Sequence, residues 1–387
     1  MYRSPLLILP LLLATLLLGC SGDRARTAED AEAGSADDRS PKSISVPTAS
    51  GDRAATGRST RHHGTNHAHI HRRGHGYGSD KSKQQMKLLV AHGANAVALT
   101  PFAYQPTADA AEIHGYGPDD PGATPDPTLR DADVAAEVAA AHELGLRVML
   151  KPHIWAGDFH HGEEWHGTIR QNSAEEHARW FASYRRFILG WTDFAAEHNV
   201  AAISLGTELV EMTTTYPDDW RALIAEIRER FDGIVTYTAH WEKEYEAITF
   251  WDELDYIGIA AYFPLDAPAE AGVDELVAAW RPWIDEITTV ADRFDRPYIL
   301  LEAGYRPVSA TWHEPWAYSG GTPDTNAQVI AFDALFRAFD EEPRYAGLYI
   351  WKTFTDKLEG FQQGEQLDFS FLDLPTAATV KKHWYQP

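Results

Sequence analysis

Apolar and polar positions follow two rhythms along this chain. From about residue 65 onward, short apolar runs recur between longer stretches with helical spacing. The runs predict strands at 67–72, 95–100, 147–152, 201–205, 234–238, 256–261, 298–302 and 347–351. Between two of them, Trp180, Phe181, Tyr184, Ile188, Trp191 and Ala195 repeat every three or four residues. They predict a helix over 173–198, with Ser173 and Glu176 as a capping box at its start. A second helix is marked by Trp220, Leu223, Ile224, Ile227 and Phe231. A third is marked by Val134, Val138, Ala141 and Leu144, with Gly145 closing it. Eight strand–helix repeats predict an α/β fold of the (β/α)₈ (TIM-barrel) class, with a doubly wound open sheet as the competing arrangement.

The connections are unequal. Helix-to-strand links are two or three residues, such as Gly145-Leu146 and His198-Asn199. Strand-to-helix links are long, at 102–130, 153–172, 305–323 and 352–374. Loops of that length in a compact domain are usually functional. All of them follow strands, on the face where barrel enzymes carry their chemistry.

The N-terminal part reads differently. Arg3 precedes an almost unbroken apolar run from 6 to 18, and Leu17-Leu18-Gly19-Cys20 follows. The run is short for a spanning helix, which needs about 20 residues. The segment resembles a bacterial lipobox, in which cleavage leaves a lipidated cysteine. Residues 1–20 are thus expected to be a lipoprotein signal peptide, with Cys20 lipidated. Ser21, rather than an aspartate, comes next, which favours the outer membrane of a Gram-negative cell. Residues 21–64 are rich in Ala, Ser, Gly, Asp, Arg and Thr and poor in large apolar side chains, as in a disordered tether. The folded domain is expected over 65–387.

Charge and cysteine content narrow the function. The net charge is −23. Residues 21–60 hold seven acids and six bases, so the acidic excess belongs to the domain. Such a surface repels phosphate backbones and excludes nucleic acid as a partner. Cys20 is the only cysteine, so no intrachain disulfide and no multi-cysteine zinc site exists. No cofactor is expected, and a monomer is the default. The membrane enters only through the lipid anchor.

Chemistry-bearing residues collect at the strand ends. Lys151, His153 and Trp155 follow the third strand, Thr207 and Glu208 the fourth, His240 the fifth and Tyr262 the sixth. Glu302 and Tyr305 lie at the seventh and Trp351 at the eighth. His69 on the first strand and Gln105 after the second complete the set of candidate sugar contacts. Hydrolysis of a glycosidic bond needs two carboxyls flanking the anomeric carbon. Glu208 and Glu302, on opposite sides of the mouth, are the candidates, at the roughly 5–5.5 Å of a retaining pair. A carboxylate ending a buried apolar strand is costly unless it is paired or functional.

Several segments together resemble glycoside hydrolase family 113. They are Gly206-Thr207-Glu208-Leu209, Glu302-Ala303-Gly304-Tyr305-Arg306, Gly76-Tyr77-Gly78-Ser79, the stretch 93–102, and Lys151-Pro152-His153. The resemblance covers about 66–385. It implies a retaining (β/α)₈ glycosidase of endo-β-1,4-mannanase type acting on a polysaccharide or oligosaccharide, most naturally β-mannan. It makes Glu208 the acid/base and Glu302 the nucleophile, sets Trp351 under a sugar ring, and sets Tyr262 or Tyr305 near the nucleophile. Two departures stand out. The loop after Ala103-Tyr104-Gln105 is unusually long, and Thr207 replaces the asparagine that commonly precedes the acid/base and binds the sugar 2-hydroxyl.

Two other readings compete. The alternating histidines His67, His69 and His71 suggest a metal-dependent amidohydrolase, with Glu208 and His240 as further ligands. That set is incomplete, because Tyr262 and Trp351 stand where a histidine and an aspartate belong. Alternatively, the barrel is a non-catalytic surface module that binds polysaccharide without cutting it. The presence of both carboxylates argues against this.

Overall fold

The computed structural model describes residues 61–115, 129–157, 165–357 and 367–385. Cys20, the signal segment and the tether up to residue 60 lie outside the described residues.

The strands in chain order are β1 (His62–Ala68), β2 (Ala96–Leu99), β3 (Phe102–Gln105), β4 (His114–Gly115), β5 (Arg147–Leu150), β6 (His153–Ala156), β7 (Ala202–Thr207), β8 (Ile234–His240), β9 (Ile257–Ala260), β10 (Tyr298–Ala303) and β11 (Tyr345–Phe354). The helices are α1 (Asp80–Ala91), α2 (Asp131–Glu143), α3 (Ala174–Glu197), α4 (Val210–Thr215), α5 (Pro217–Arg228), α6 (Glu244–Ala247), α7 (Val273–Phe294), α8 (Thr325–Phe339) and α9 (Thr376–Trp384). Eight strands close a barrel in the order β1-β11-β10-β9-β8-β7-β5-β2, and every neighbouring pair is parallel. The open-sheet alternative is therefore excluded. The remaining three strands form a separate small sheet, β4-β3-β6, inside connections that the sequence pattern leaves as plain loops.

Two apolar layers hold the barrel. Ala96, Ala98, Met149, Ala202, Ile299, Leu301 and Tyr349 fill its interior. The alternate residues, among them Val97, Val148, Ile203 and Leu300, face the helices in the larger outer core. Strands covered on both sides read as continuous apolar runs, which is why β2, β7, β9 and β10 were legible. The helices begin and end as their sequences dictate. Ser173 caps α3 by accepting from the Glu176 N–H at 3.2 Å, while the Glu176 carboxylate reaches back to the Asn172 N–H. Gly145, at φ +76°, lets the chain leave α2, with Gly145 N–H bonded to His142 O and Leu146 N–H to Ala141 O.

The first strand corrects the sequence reading. It runs from His62, not 67, and pairs in register with Gly347–Phe354 on one side and Ala96–Leu99 on the other. The folded region thus reaches N-terminal of residue 65. Its burial rests on hydrogen bonds that apolar periodicity does not register. The Asn66 amide donates to Leu301 O at 2.9 Å, and Thr65 Oγ1 lies 3.1 Å from Thr353 Oγ1.

Candidate active site

At the C-terminal mouth of the barrel, β10 delivers Glu302 and the end of β7 delivers Glu208. Both side chains are buried. Glu302 accepts from two donors, one on each oxygen. The Lys151 ammonium, from the residue after β5, bonds Oε1. The Tyr262 hydroxyl, just past β9, bonds Oε2 at 2.8 Å. Lys151 is itself wholly buried and also donates to Asn66 Oδ1 at 3.1 Å. Burial pulls the Lys151 ammonium down, and the neighbouring Glu302 charge opposes this. With both oxygens acting as acceptors, Glu302 is arranged as a carboxylate.

Glu208 has the opposite surroundings. No ammonium or hydroxyl is hydrogen-bonded to its carboxyl among the described residues. Its Oε2 lies 3.0 Å from His166 Nε2 and its Oε1 3.9 Å from His240 Nε2. Burial pushes the Glu208 carboxyl up to about 7. The His240 charge opposes this and that of Glu302 adds to it. His166 is pulled down to about 4 by burial and stays neutral above that pH. The Glu208 backbone is left-handed, at φ +51°, a conformation that costs a non-glycine residue about 1–2 kcal/mol. Two bonds flank that turn: Glu208 N–H to Thr238 O at 2.8 Å, and Leu209 N–H to the Tyr237 hydroxyl at 2.6 Å.

Other expected contacts gather around the pair. His153 Nε2 lies 4.0 Å from Glu302 Oε1, and burial pulls its imidazole well down, so it is neutral. The Trp351 ring stacks near His153, with ring centres 5.9 Å apart, and carries Lys151 5.3 Å from its own centre. Tyr262, Trp351 and Phe369 form one apolar cluster with Ala260. Trp155, on the small sheet, packs its ring against Phe102, which also meets His153. Among the described residues, Thr207 Oγ1 and His153 Nε2 are buried without a hydrogen-bond partner. Buried polar atoms are nearly always paired, so both retain unused hydrogen-bonding capacity.

Three expected residues play other parts. Gln105 spends its amide inside the protein, accepting from Trp180 Nε1 and donating to Thr107 O and Ala108 O. Tyr305 turns into the outer core, edge-on to Phe332 with centres 5.5 Å apart, so Tyr262 alone of the two tyrosines bonds Glu302. His69 accepts the Tyr77 N–H at 2.9 Å and packs on its ring, bracing the turn before α1. The metal reading fails on geometry. Both nitrogens of His67 are engaged by hydroxyls, Ser82 at 2.9 Å and Thr353 at 3.2 Å. No three metal-ligating side chains converge among the described residues.

Asn66, Trp165, His166 and Tyr318 were not singled out by the sequence. Asn66 lies N-terminal of the predicted first strand. Trp165 packs against both His166 and His240. Tyr318 feels the charge of both carboxyls. The last three lie in the long connections 153–172 and 305–323. Loop length was the only signal pointing to them.

The sequence model of Glycoside Hydrolase Family 113 matches residues 66–372. Solved structures share the architecture. A GH113 beta-1,4-mannanase, solved as a complex, is 22% identical with a TM-score of 0.71, covering 84% of this chain and 99% of its own. The GH113 beta-mannanase from Alicyclobacillus acidocaldarius is 24% identical with a TM-score of 0.71, covering 84% and 97%. A β-glucuronidase from Ruminococcus gnavus is 14% identical with a TM-score of 0.53, covering 84% and 50%. At these identities the likeness is one of fold. A search of curated proteins finds no match.

Proposed function

The chain belongs to glycoside hydrolase family 113 and is a glycoside hydrolase, and from that premise we propose that it cleaves β-1,4-linked mannan with retention, Glu208 serving as acid/base and Glu302 as nucleophile. One observation carries the assignment of roles. The two carboxyls feel each other's charge yet lie in opposite environments. Glu302 is held by an ammonium and a phenol, and Glu208 is desolvated and raised to about 7. A desolvated carboxyl suits the acid, and one held by two donors suits the nucleophile.

In the first step Glu302 attacks the anomeric carbon while Glu208 gives its proton to the departing oxygen. The sugar is left as an ester on Glu302. Lys151 and Tyr262 aim the attacking carboxylate and then release it. In the second step Glu208, now ionised, takes a proton from a water that attacks the anomeric carbon, the bond to Glu302 breaks, and both carboxyls return to their starting states. Thr207 Oγ1 and His153 Nε2 are the free partners for sugar hydroxyls, and Trp351 supplies an aromatic face. The mannan preference rests on the family and on the mannanases of like fold. The net charge of −23 also favours a neutral polymer over a polyuronate.

The test is turnover on mannan, glucan and galactan, with product stereochemistry followed by NMR. Mannan is expected to be cut, with the β-anomer appearing first. Glu302→Ala is expected to lose on the order of 10⁴-fold or more in kcat. Early release of the α-anomer, or an undiminished Glu302→Ala, overturns the roles.

We propose further that the enzyme is exported and held at the cell envelope by a lipid on Cys20, in the outer membrane if the cell is Gram-negative. The lone cysteine after a short apolar run supports this. Cys20→Ser is expected to move the protein from the membrane fraction to the soluble one. A variant that stays membrane-bound removes the lipid anchor.

A further inference from the structure

Behind the two carboxyls lies a third buried acid that the reaction does not use. Glu244, the first residue of α6, is wholly covered. Its carboxylate accepts three hydrogen bonds, two from β8 and one from α4. The His240 N–H, at the end of β8, donates to Oε2 at 2.6 Å. The Thr213 hydroxyl, on α4, donates to Oε1 at 2.6 Å. The Tyr237 hydroxyl, on β8, donates to Oε1 at 2.8 Å.

The Tyr237 bond gives the arrangement its direction. A phenol has one proton. Because Tyr237 gives it to Glu244, its oxygen is left to accept the Leu209 N–H at 2.6 Å. Leu209 follows Glu208, whose backbone is left-handed. The bond to His240 acts on the other side. Nδ1 of His240 accepts the Glu242 N–H at 3.1 Å, so a neutral His240 carries its proton on Nε2, the nitrogen facing Glu208. One carboxylate thus braces the turn that aims Glu208 and the strand end that presents His240 to it.

We propose that Glu244 is a positioning residue for the acid/base, a role that rests on the assignment of Glu208 above. Glu244 touches neither substrate nor reacting atoms. It holds the Glu208 peptide through Tyr237 and sets His240 beside the carboxyl. Burial raises the Glu244 carboxyl to about 7 against the pull of its three donors, and the charge of Glu208 adds to the rise. The repulsion is mutual, so an ionised Glu244 favours the protonated form of Glu208. The other charged or titratable groups facing Glu208 are His166, His240, Lys151, Glu302, Tyr262 and Tyr318.

The test compares Glu244→Gln, Tyr237→Phe and Glu208→Ala on two probes. One is an unactivated mannooligosaccharide. The other is a dinitrophenyl β-mannoside, whose leaving group departs without a proton. Glu244→Gln is expected to lose about 100-fold in kcat on the first probe, the loss of an ångström-scale misplacement. KM is expected to change little on that probe, and the loss in kcat/KM on the second probe, which reports the first step alone, to be far smaller. Its alkaline limb in kcat/KM moves to lower pH, because a neighbouring negative charge is gone. Tyr237→Phe, which keeps the charge, is expected to lose kcat without that shift. Equal losses on both probes with an unmoved limb make Glu244 merely structural and overturn the proposal, while azide rescue of Glu208→Ala on the activated probe keeps the acid/base assignment. Absence of that rescue removes the assignment and the proposal together.

Discussion

The side chain with the clearest pH signature is Glu208. Its carboxyl is raised by burial from an ordinary 4.5 to about 7. The proposed role of Glu208 as acid needs this proton, so kcat/KM is expected to fall above about pH 7, and a pH–rate profile reads this directly. The same shift bears on folding. Between the two values the folded site holds a proton that the unfolded chain has released, so stability falls as pH rises through that window. Glu208→Gln removes the cost. It is expected to melt higher than the wild type at pH 8 and no higher at pH 4, a difference that calorimetry at the two pH values detects. That Glu208 and Glu302 come together was legible because a parallel barrel brings strand ends to one place, which turns chain position into spatial position. The supporting residues were less so. Asn66 is a polar residue inside a strand without apolar alternation, and His166 is delivered by a loop that has no period. Gln105 misled for the converse reason, since a buried amide near the mouth satisfies its bonds within the protein.

Among the elements, the all-apolar strands and the long amphipathic α3 were readable to within a few residues. The first strand was misread by five, and the small β4-β3-β6 sheet was not seen. Both failures have one cause. Periodicity reports burial of apolar area, whereas β1 is fixed by hydrogen bonds and two-sided pairing, and the small sheet by short strands a few residues long. Gly304, the residue after β10, lies tight against β11. A methyl group there would overlap the Trp351 carbonyl oxygen and press on the Phe369 ring. Gly304→Ala therefore pushes apart the two strands that carry Glu302 and Trp351. Overpacking of this kind costs about 1–3 kcal/mol. A melting point several degrees lower is expected, together with a fall in kcat/KM larger than the stability loss explains. A variant that melts lower but keeps full activity shows that the strain is absorbed away from the mouth.

For the molecule as a whole, barrel closure depends on the chain ends meeting. His62 Nδ1 lies 2.9 Å from the Tyr349 hydroxyl, and the His63 ring stacks on Trp384 of α9 with centres 5.9 Å apart. A version starting at residue 65 lacks these contacts and half of β1. It is expected to be insoluble, or to melt more than ~10 °C below a version starting at residue 61. Equal melting points for the two make the first three residues of β1 dispensable. The direction of β1 carries a practical consequence. It enters the barrel at the floor and runs toward the mouth, so Arg61 lies on the side away from Glu208 and Glu302. Coupling the enzyme to a bead or an electrode through its leading end therefore leaves the cleft open to an insoluble fibre, whereas coupling through the loops after β10 or β11 blocks it.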